Sequence, residues 1–205
     1  KMKRLGVEID PSHFYTSALA TASFLASQIP KGTAYVIGEA GLINALYEVG
    51  YSMNDVNPDY VVVGESHRYN YESLMKAVSL VLKGARLVGT NPDTSGPTEE
   101  GLVPATGSLI LPIAKTTGVE PYFVGKPNPV MMRQALSFLQ TRREETAIIG
   151  DRMDTDILSG IESGIETILV LSGVSDKDTP ARFAYRPSLI IDSIRTISDY
   201  NTQEK

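Results

Sequence analysis

The chain has 205 residues, 42% hydrophobic and 21% charged, the profile of a folded globular protein with room for one or two domains. It has no cysteine and only two histidines, His13 and His67, which excludes disulfides, thiolate-bound zinc, thiol nucleophiles and a multi-histidine metal centre. The net charge of −5 argues against a nucleic-acid polymer as partner, and no apolar run is long enough to span a bilayer.

The opening "KMKRLGVEID" lacks the apolar core of a signal peptide, so a cytoplasmic protein with no membrane partner is expected. From there apolar runs alternate with amphipathic stretches. A helix is predicted over 17–28, a strand over 34–37, a helix over 41–49, a strand over 60–63, a helix over 71–82 and a strand over 86–89. The segment 91–107, "NPDTSGPTEEGLVPATG", interrupts the rhythm with prolines and glycines and reads as a long surface or functional loop. Strands follow over 122–124, 147–149 and 167–171, with helices over 129–140 and 155–163, the latter closed by Gly164, where positive φ costs glycine little. This βαβα alternation predicts an α/β fold with a largely parallel sheet.

Ligands of such sheets bind beyond the carboxyl ends of the strands. The apolar run "AIIG" delivers Asp151 to that edge, and Asp154 and Asp156 follow in the next loop. Two carboxylates roughly 5 Å apart repel by about 3 kcal/mol at an effective dielectric near 20, so a counter-charge is called for. Mg²⁺ suits hard oxygen donors, and Lys126, after the run "YFVG", supplies a second positive centre if its strand lies alongside. In "GKPNP" the prolines restrict the backbone and start the next helix, which aims the lysine. Carboxylates, a divalent cation and a lysine together suit phosphoryl transfer, which consists mostly of positioning and charge neutralisation. Asp154 also reads as a helix N-cap, Asp156 also complements a helix dipole, and Arg142 with Arg143 reads as a solvated helix end.

"VGKPNP", followed about 25 residues later by "IIGDRMDTDILSGIESGIETILVLSGV", resembles motifs III and IV of the haloacid dehalogenase (HAD) superfamily, in its NagD-like phosphatase branch. The likeness extends to "FYTSALATASFLA", "AYVIGEAGL", "DVNPDYVVVGE" and "KGARLVGTNPD", nearly the whole chain. It implies a Rossmann-like parallel-sheet core, residues 1–32 and 120–205, with an inserted α/β cap domain of the class IIA type over 33–119. It further implies that Asp151 coordinates Mg²⁺, that Asp156 holds the metal's outer sphere or a coordinated water, and that Lys126 is catalytic, steadying both the phosphate and the nucleophilic carboxylate. The cap loops nominate His67, Arg68, Asn91 and Asp93 as contacts to a small phosphorylated metabolite: a nucleotide monophosphate, a sugar phosphate or phosphoglycolate. A homodimer is left open.

One part of the pattern is missing. The family's DxDG nucleophile segment has no counterpart: "DTD" at 154–156 belongs to the metal motif, and "DKD" at 176–178 follows no strand and precedes no glycine. The absent piece amounts to a strand-helix-strand unit of roughly 30 residues, central to the core sheet. Since the sequence also begins at Lys1, the expectation is that the N-terminal core strands and the nucleophile lie upstream of Lys1. On that reading the protein is a Mg²⁺-dependent phosphatase working through an aspartyl-phosphate intermediate. The alternative is a catalytically silent phosphometabolite-binding protein that retains the metal site. P-loop, dinucleotide, zincin and serine-hydrolase motifs are all absent.

Overall fold

A computed structural model describes residues 6–99 and 101–197. The chain forms two compact units, Lys1–Gly125 and Lys126–Lys205.

The first unit is built on a parallel sheet of five strands. Helix α1 (Ser17–Gln28) starts where the Thr16 hydroxyl accepts the Leu19 N–H at 3.3 Å. There follow β1 (Thr33–Ile37), α2 (Ala40–Glu48), β2 (Ser52–Met53) and β3 (Tyr60–Val63). Helix α3 (Tyr71–Leu82) opens on a reciprocal cap between Asn70 and Ser73, and β4 (Arg86–Gly89) comes next. The unit ends with a hairpin of β5 (Ser95–Thr98) and β6 (Gly101–Pro104), helix α4 (Thr106–Thr117) and β7 (Tyr122–Phe123). The sheet order is β2-β1-β3-β4-β7, so β3 is central, which explains why all four of its residues, Tyr60 to Val63, are buried. Val61 and Val63 pack with Ile37, Leu80, Leu87, Ile110 and Ile113 into one core. Tyr51 fills the space beneath α1, its hydroxyl 2.8 Å from the carbonyl oxygens of both Leu25 and Ile29 and donating to one at a time.

The segment 91–107 is not a loop. It contains the hairpin and the first turn of α4, neither of which the sequence pattern predicts. Pro112 sits inside α4 and exposes its ring, so the missing N–H hides the helix from propensity reasoning without breaking it.

The second unit carries α5 (Pro129–Leu139), β8 (Ala147–Gly150), α6 (Leu158–Ser163), β9 (Glu166–Val170) and β10 (Leu189–Ile191). Its three strands are parallel in the order β10-β9-β8, with Ala147 opposite Glu166 and Leu189 opposite Ile168. The expected helix over 155–163 has a different entry. Met153–Ile157 forms a π-helical turn, with the Ile157 N–H reaching back five residues to the Arg152 carbonyl at 3.1 Å, and only then does α6 begin. Gly164 ends α6 at φ 66°, as its position predicts. Met153, Ile157 and Leu169 form the buried centre of this unit, with Leu171, Phe183 and Tyr185 packed against it. No helix among the described residues is long and apolar enough to cross a membrane.

Candidate active site

Three of the residues singled out in the sequence, Lys126, Asp151 and Asp156, lie in the second unit, and two of them pair. Lys126 opens it, and the chain then turns into α5 through Asn128, whose side chain accepts the Val130 N–H at 2.9 Å, with Pro129 in the first helical position. The Lys126 ammonium lies 2.5 Å from Oδ1 of Asp156. Asp156 is 6% exposed, and its other oxygen, Oδ2, accepts the Arg152 N–H at 3.2 Å. Its negative charge is therefore held by one full counter-charge and one backbone dipole, which is what allows a carboxylate to be buried there.

Asp151 follows directly on β8. Its Oδ2 accepts the Val174 N–H at 2.8 Å, and its carbonyl accepts the Ser175 N–H at 3.1 Å, so the loop after β9 clasps both its side chain and its backbone. Oδ1 accepts no hydrogen bond from any described residue. Two glycines make room for these carboxylates. A Cβ at Gly150 would collide with the Asp156 side chain, and a Cβ at Gly173 with the Asp151 carboxylate.

Asp154 caps no helix, contrary to its sequence reading. It takes the Arg152 guanidinium in a two-point grip, Nε to Oδ1 at 3.0 Å and Nη2 to Oδ2 at 2.7 Å, because the π-helical turn points it outward beside that side chain. The same guanidinium holds the Asp154 carboxyl below its ordinary range. Arg142 and Arg143 are solvated as expected, paired with Glu145 and Glu144 on the surface just beyond α5.

The four cap-loop candidates lie in the first unit, at the carboxyl ends of its central strands. The His67 N–H donates to Glu39 Oε1 at 2.9 Å and the Arg68 N–H to Ser66 Oγ at 3.1 Å, in the turn after β3. Asn91 follows β4, and its side-chain oxygen accepts the Asp93 N–H at 3.2 Å. Sequence reasoning missed Arg152, Val174 and the two glycines. Of these only the glycines left a signal, Gly150 closing an apolar strand and Gly173 placed just past the end of another.

No cluster of three or more His, Asp or Glu side chains among the described residues forms a complete metal cage. A Mg²⁺ ion does not require one, since it commonly takes one or two carboxylates and fills its remaining positions with water and phosphate oxygens. Asp151, with one oxygen anchored and the other bare, fits as a direct ligand. Asp156, with both oxygens engaged, fits as an outer partner.

Two family patterns match the chain: a haloacid dehalogenase-like hydrolase pattern over residues 1–52 and a HAD-hydrolase-like pattern over residues 123–197. Ribonucleotide monophosphatase NagD of Escherichia coli (strain K12) is 50% identical over 192 residues, covering 94% of this chain and 75% of that protein. This chain belongs to the HAD-like hydrolases. Within them it falls in the NagD/p-nitrophenyl phosphatase branch, class IIA, whose members are phosphoric monoester hydrolases and typically metal-dependent. Dihydroxyacetone phosphatase of Corynebacterium glutamicum (strain R) is 49% identical over 97% of this chain and 72% of its own length. The solved structure of NagD from E. coli K-12 superimposes with a TM-score of 0.88 at 48% identity, covering 94% of this chain and 75% of that one. The α/β architecture with its parallel five-stranded sheet is thus that of the HAD-like hydrolases.

Proposed function

We propose that the chain provides the metal-binding and charge-neutralising half of a Mg²⁺-dependent phosphomonoesterase site for small phosphorylated metabolites. The observation that carries the reading is the Lys126–Asp156 pair, with Asp156 in the turn that follows Asp151, whose Oδ1 is bare, at the end of β8. Asp151 would hold Mg²⁺ directly, and Asp156 would orient its outer sphere. The metal supplies charge to a phosphoryl group as negative charge builds on its oxygens.

The protein's own groups do the rest. The Lys126 ammonium has three hydrogens and spends one on Asp156, which leaves two for a phosphate oxygen and a nucleophile carboxylate. Val174 and Ser175 keep Asp151 from swinging away when the phosphate departs. The reading includes an aspartyl-phosphate intermediate, which splits hydrolysis into two easier transfers. No aspartate of residues 1–205 stands in the context of that nucleophile. Relatives named for dihydroxyacetone phosphate, ribonucleotide monophosphates and sugar phosphates support a small phosphorylated substrate, and His67, Arg68, Asn91 and Asp93 are our candidates for selecting it. The division into core segments 1–32 and 120–205 and a cap over 33–119 belongs to the same proposal.

The test is calorimetric titration of the full-length protein with Mg²⁺, followed by hydrolysis of p-nitrophenyl phosphate with Mg²⁺ or with chelator. Saturable Mg²⁺ binding and chelator-sensitive turnover are expected. Mg²⁺ binding without turnover would favour the silent phosphometabolite-binding reading, and absence of Mg²⁺ binding would overturn both.

A further inference from the structure

We propose that Tyr185 is a positioning residue for this site: its hydroxyl locks the π-helical turn that carries Asp156. The inference rests on the phosphatase reading above and adds to it a residue that touches neither metal nor phosphate.

Between Gly150 and α6 the chain must place Asp156 where Lys126 and the Arg152 N–H meet its two oxygens. It does so in an uncommon conformation. In the turn Met153–Ile157 the hydrogen bonds skip five residues, Ile157 N–H to the Arg152 carbonyl and Leu158 N–H to the Met153 carbonyl, where an α-helix would skip four. Relaxing the turn to α geometry would rotate the residues on either side of it against each other by about 100°, one residue's share of a helical turn. Asp156 would then leave Lys126. Something outside the turn must favour the wider form.

Tyr185 does this from 32 residues away. Its hydroxyl donates to the Met153 carbonyl oxygen at 3.0 Å. That oxygen already accepts the Leu158 N–H, so both of its lone pairs are used and it is held in the wide arrangement. The Tyr185 ring is itself fixed, tilted against Phe183 at 5.4 Å between centroids and packed with it on the cluster of Met153, Ile157 and Leu169. Burial raises the phenol above its ordinary range, so the hydroxyl stays protonated and able to donate at neutral and mildly alkaline pH.

Tyr185→Phe removes one oxygen and keeps the ring, so the variant should fold. Three readouts on the full-length protein are compared with wild type and with Tyr51→Phe, which deletes a buried hydroxyl in the first unit. Tyr185→Phe should speed amide hydrogen exchange at Ile157 and Leu158 about tenfold, weaken Mg²⁺ binding in calorimetry about tenfold, and lower kcat on p-nitrophenyl phosphate while KM stays within about twofold. Tyr51→Phe should lower the melting temperature and change none of the three. Unchanged exchange at Ile157 and Leu158 in Tyr185→Phe overturns the brace, and so does faster exchange with wild-type Mg²⁺ affinity and kcat. A wild-type protein that binds no Mg²⁺ refutes the phosphatase reading instead, and the exchange data still decide whether Tyr185 holds the turn.

Discussion

Asp151, directly after β8, and Lys126, whose ammonium pairs with Asp156, carry opposite charges, and they fail differently when altered. Asp151→Asn keeps the shape and replaces an anionic oxygen donor with a neutral amide. Its bare Oδ1 position then no longer attracts a hard cation, so full-length protein should lose Mg²⁺-dependent turnover by about 10²-fold or more while its melting temperature moves little. Unchanged Mg²⁺ affinity in this variant would remove Asp151 from the metal site. Lys126→Met keeps most of the stem's volume and deletes the charge against Asp156, which is nearly buried. Turnover should fall about 10²-fold, with a stability loss of about 1–3 kcal/mol for the orphaned carboxylate. A variant that melts far lower yet turns over normally per folded molecule would make Lys126 purely structural. Both residues were legible in the sequence because a charged side chain directly after an apolar strand and a glycine has few structural reasons to be there. Tyr185 was not legible, since a hydroxyl reaching a backbone carbonyl 32 residues away leaves no local pattern.

The elements divide along the same line. Strands β1, β3, β4, β8 and β9 are built on apolar runs in parallel sheets, wholly buried in β3 and least so in β8, and they show plainly in the sequence. Strands β2 and β10 hold two and three residues, too few for a period to register, and the hairpin Ser95–Pro104 is written in Gly, Pro and Thr. The π-helical turn was hidden because "MDTDI" reads as an ordinary helix start. Helix α4 was masked by Pro112, which yields a prediction. The ring is exposed and removes an N–H that would otherwise reach the Ser108 carbonyl, so Pro112→Ala should restore one ladder bond and stabilise the fold by about 1–2 kcal/mol, after allowing for the freer unfolded chain. A thermal scan showing a lower midpoint would mean that the helix depends on the proline's fixed φ.

Over the molecule as a whole, the buried tyrosines make stability depend on pH at the alkaline end. Tyr51 is 2% exposed, and burial first, then its neighbours Tyr60 and Asp59, push its phenol up to about 12. An unfolded tyrosine titrates near 10, so the folded state resists this ionisation. The contribution is complete below about pH 10 and is lost as pH rises towards 12, a span of roughly 2–3 kcal/mol at 1.36 kcal/mol per unit. Tyr15, Tyr35, Tyr60, Tyr69 and Tyr185 are all shifted upward, chiefly by burial, and steepen the same limb. Denaturant unfolding at pH 8 and pH 11 should show the drop, and Tyr51→Phe should flatten part of it. Equal unfolding free energies at the two pH values would refute this. On the acid side Asp154, lowered mainly by Arg152, contributes stability above its ordinary range that disappears as pH falls through it, a small effect for an exposed pair.

The hollows at Gly150 and Gly173 bear on how this protein tolerates genetic change. Any codon change to a residue with a side chain inserts a carbon where the Asp156 or Asp151 carboxylate already sits, whatever the new side chain's chemistry. In a library covering every substitution at Gly150, Asp151, Asp156 and Gly173, selected for phosphatase activity, the two glycines should prove as intolerant as the two aspartates, though they have no reactive group to lose. Their permitted alphabet has one letter, and it is set by the atoms that face them.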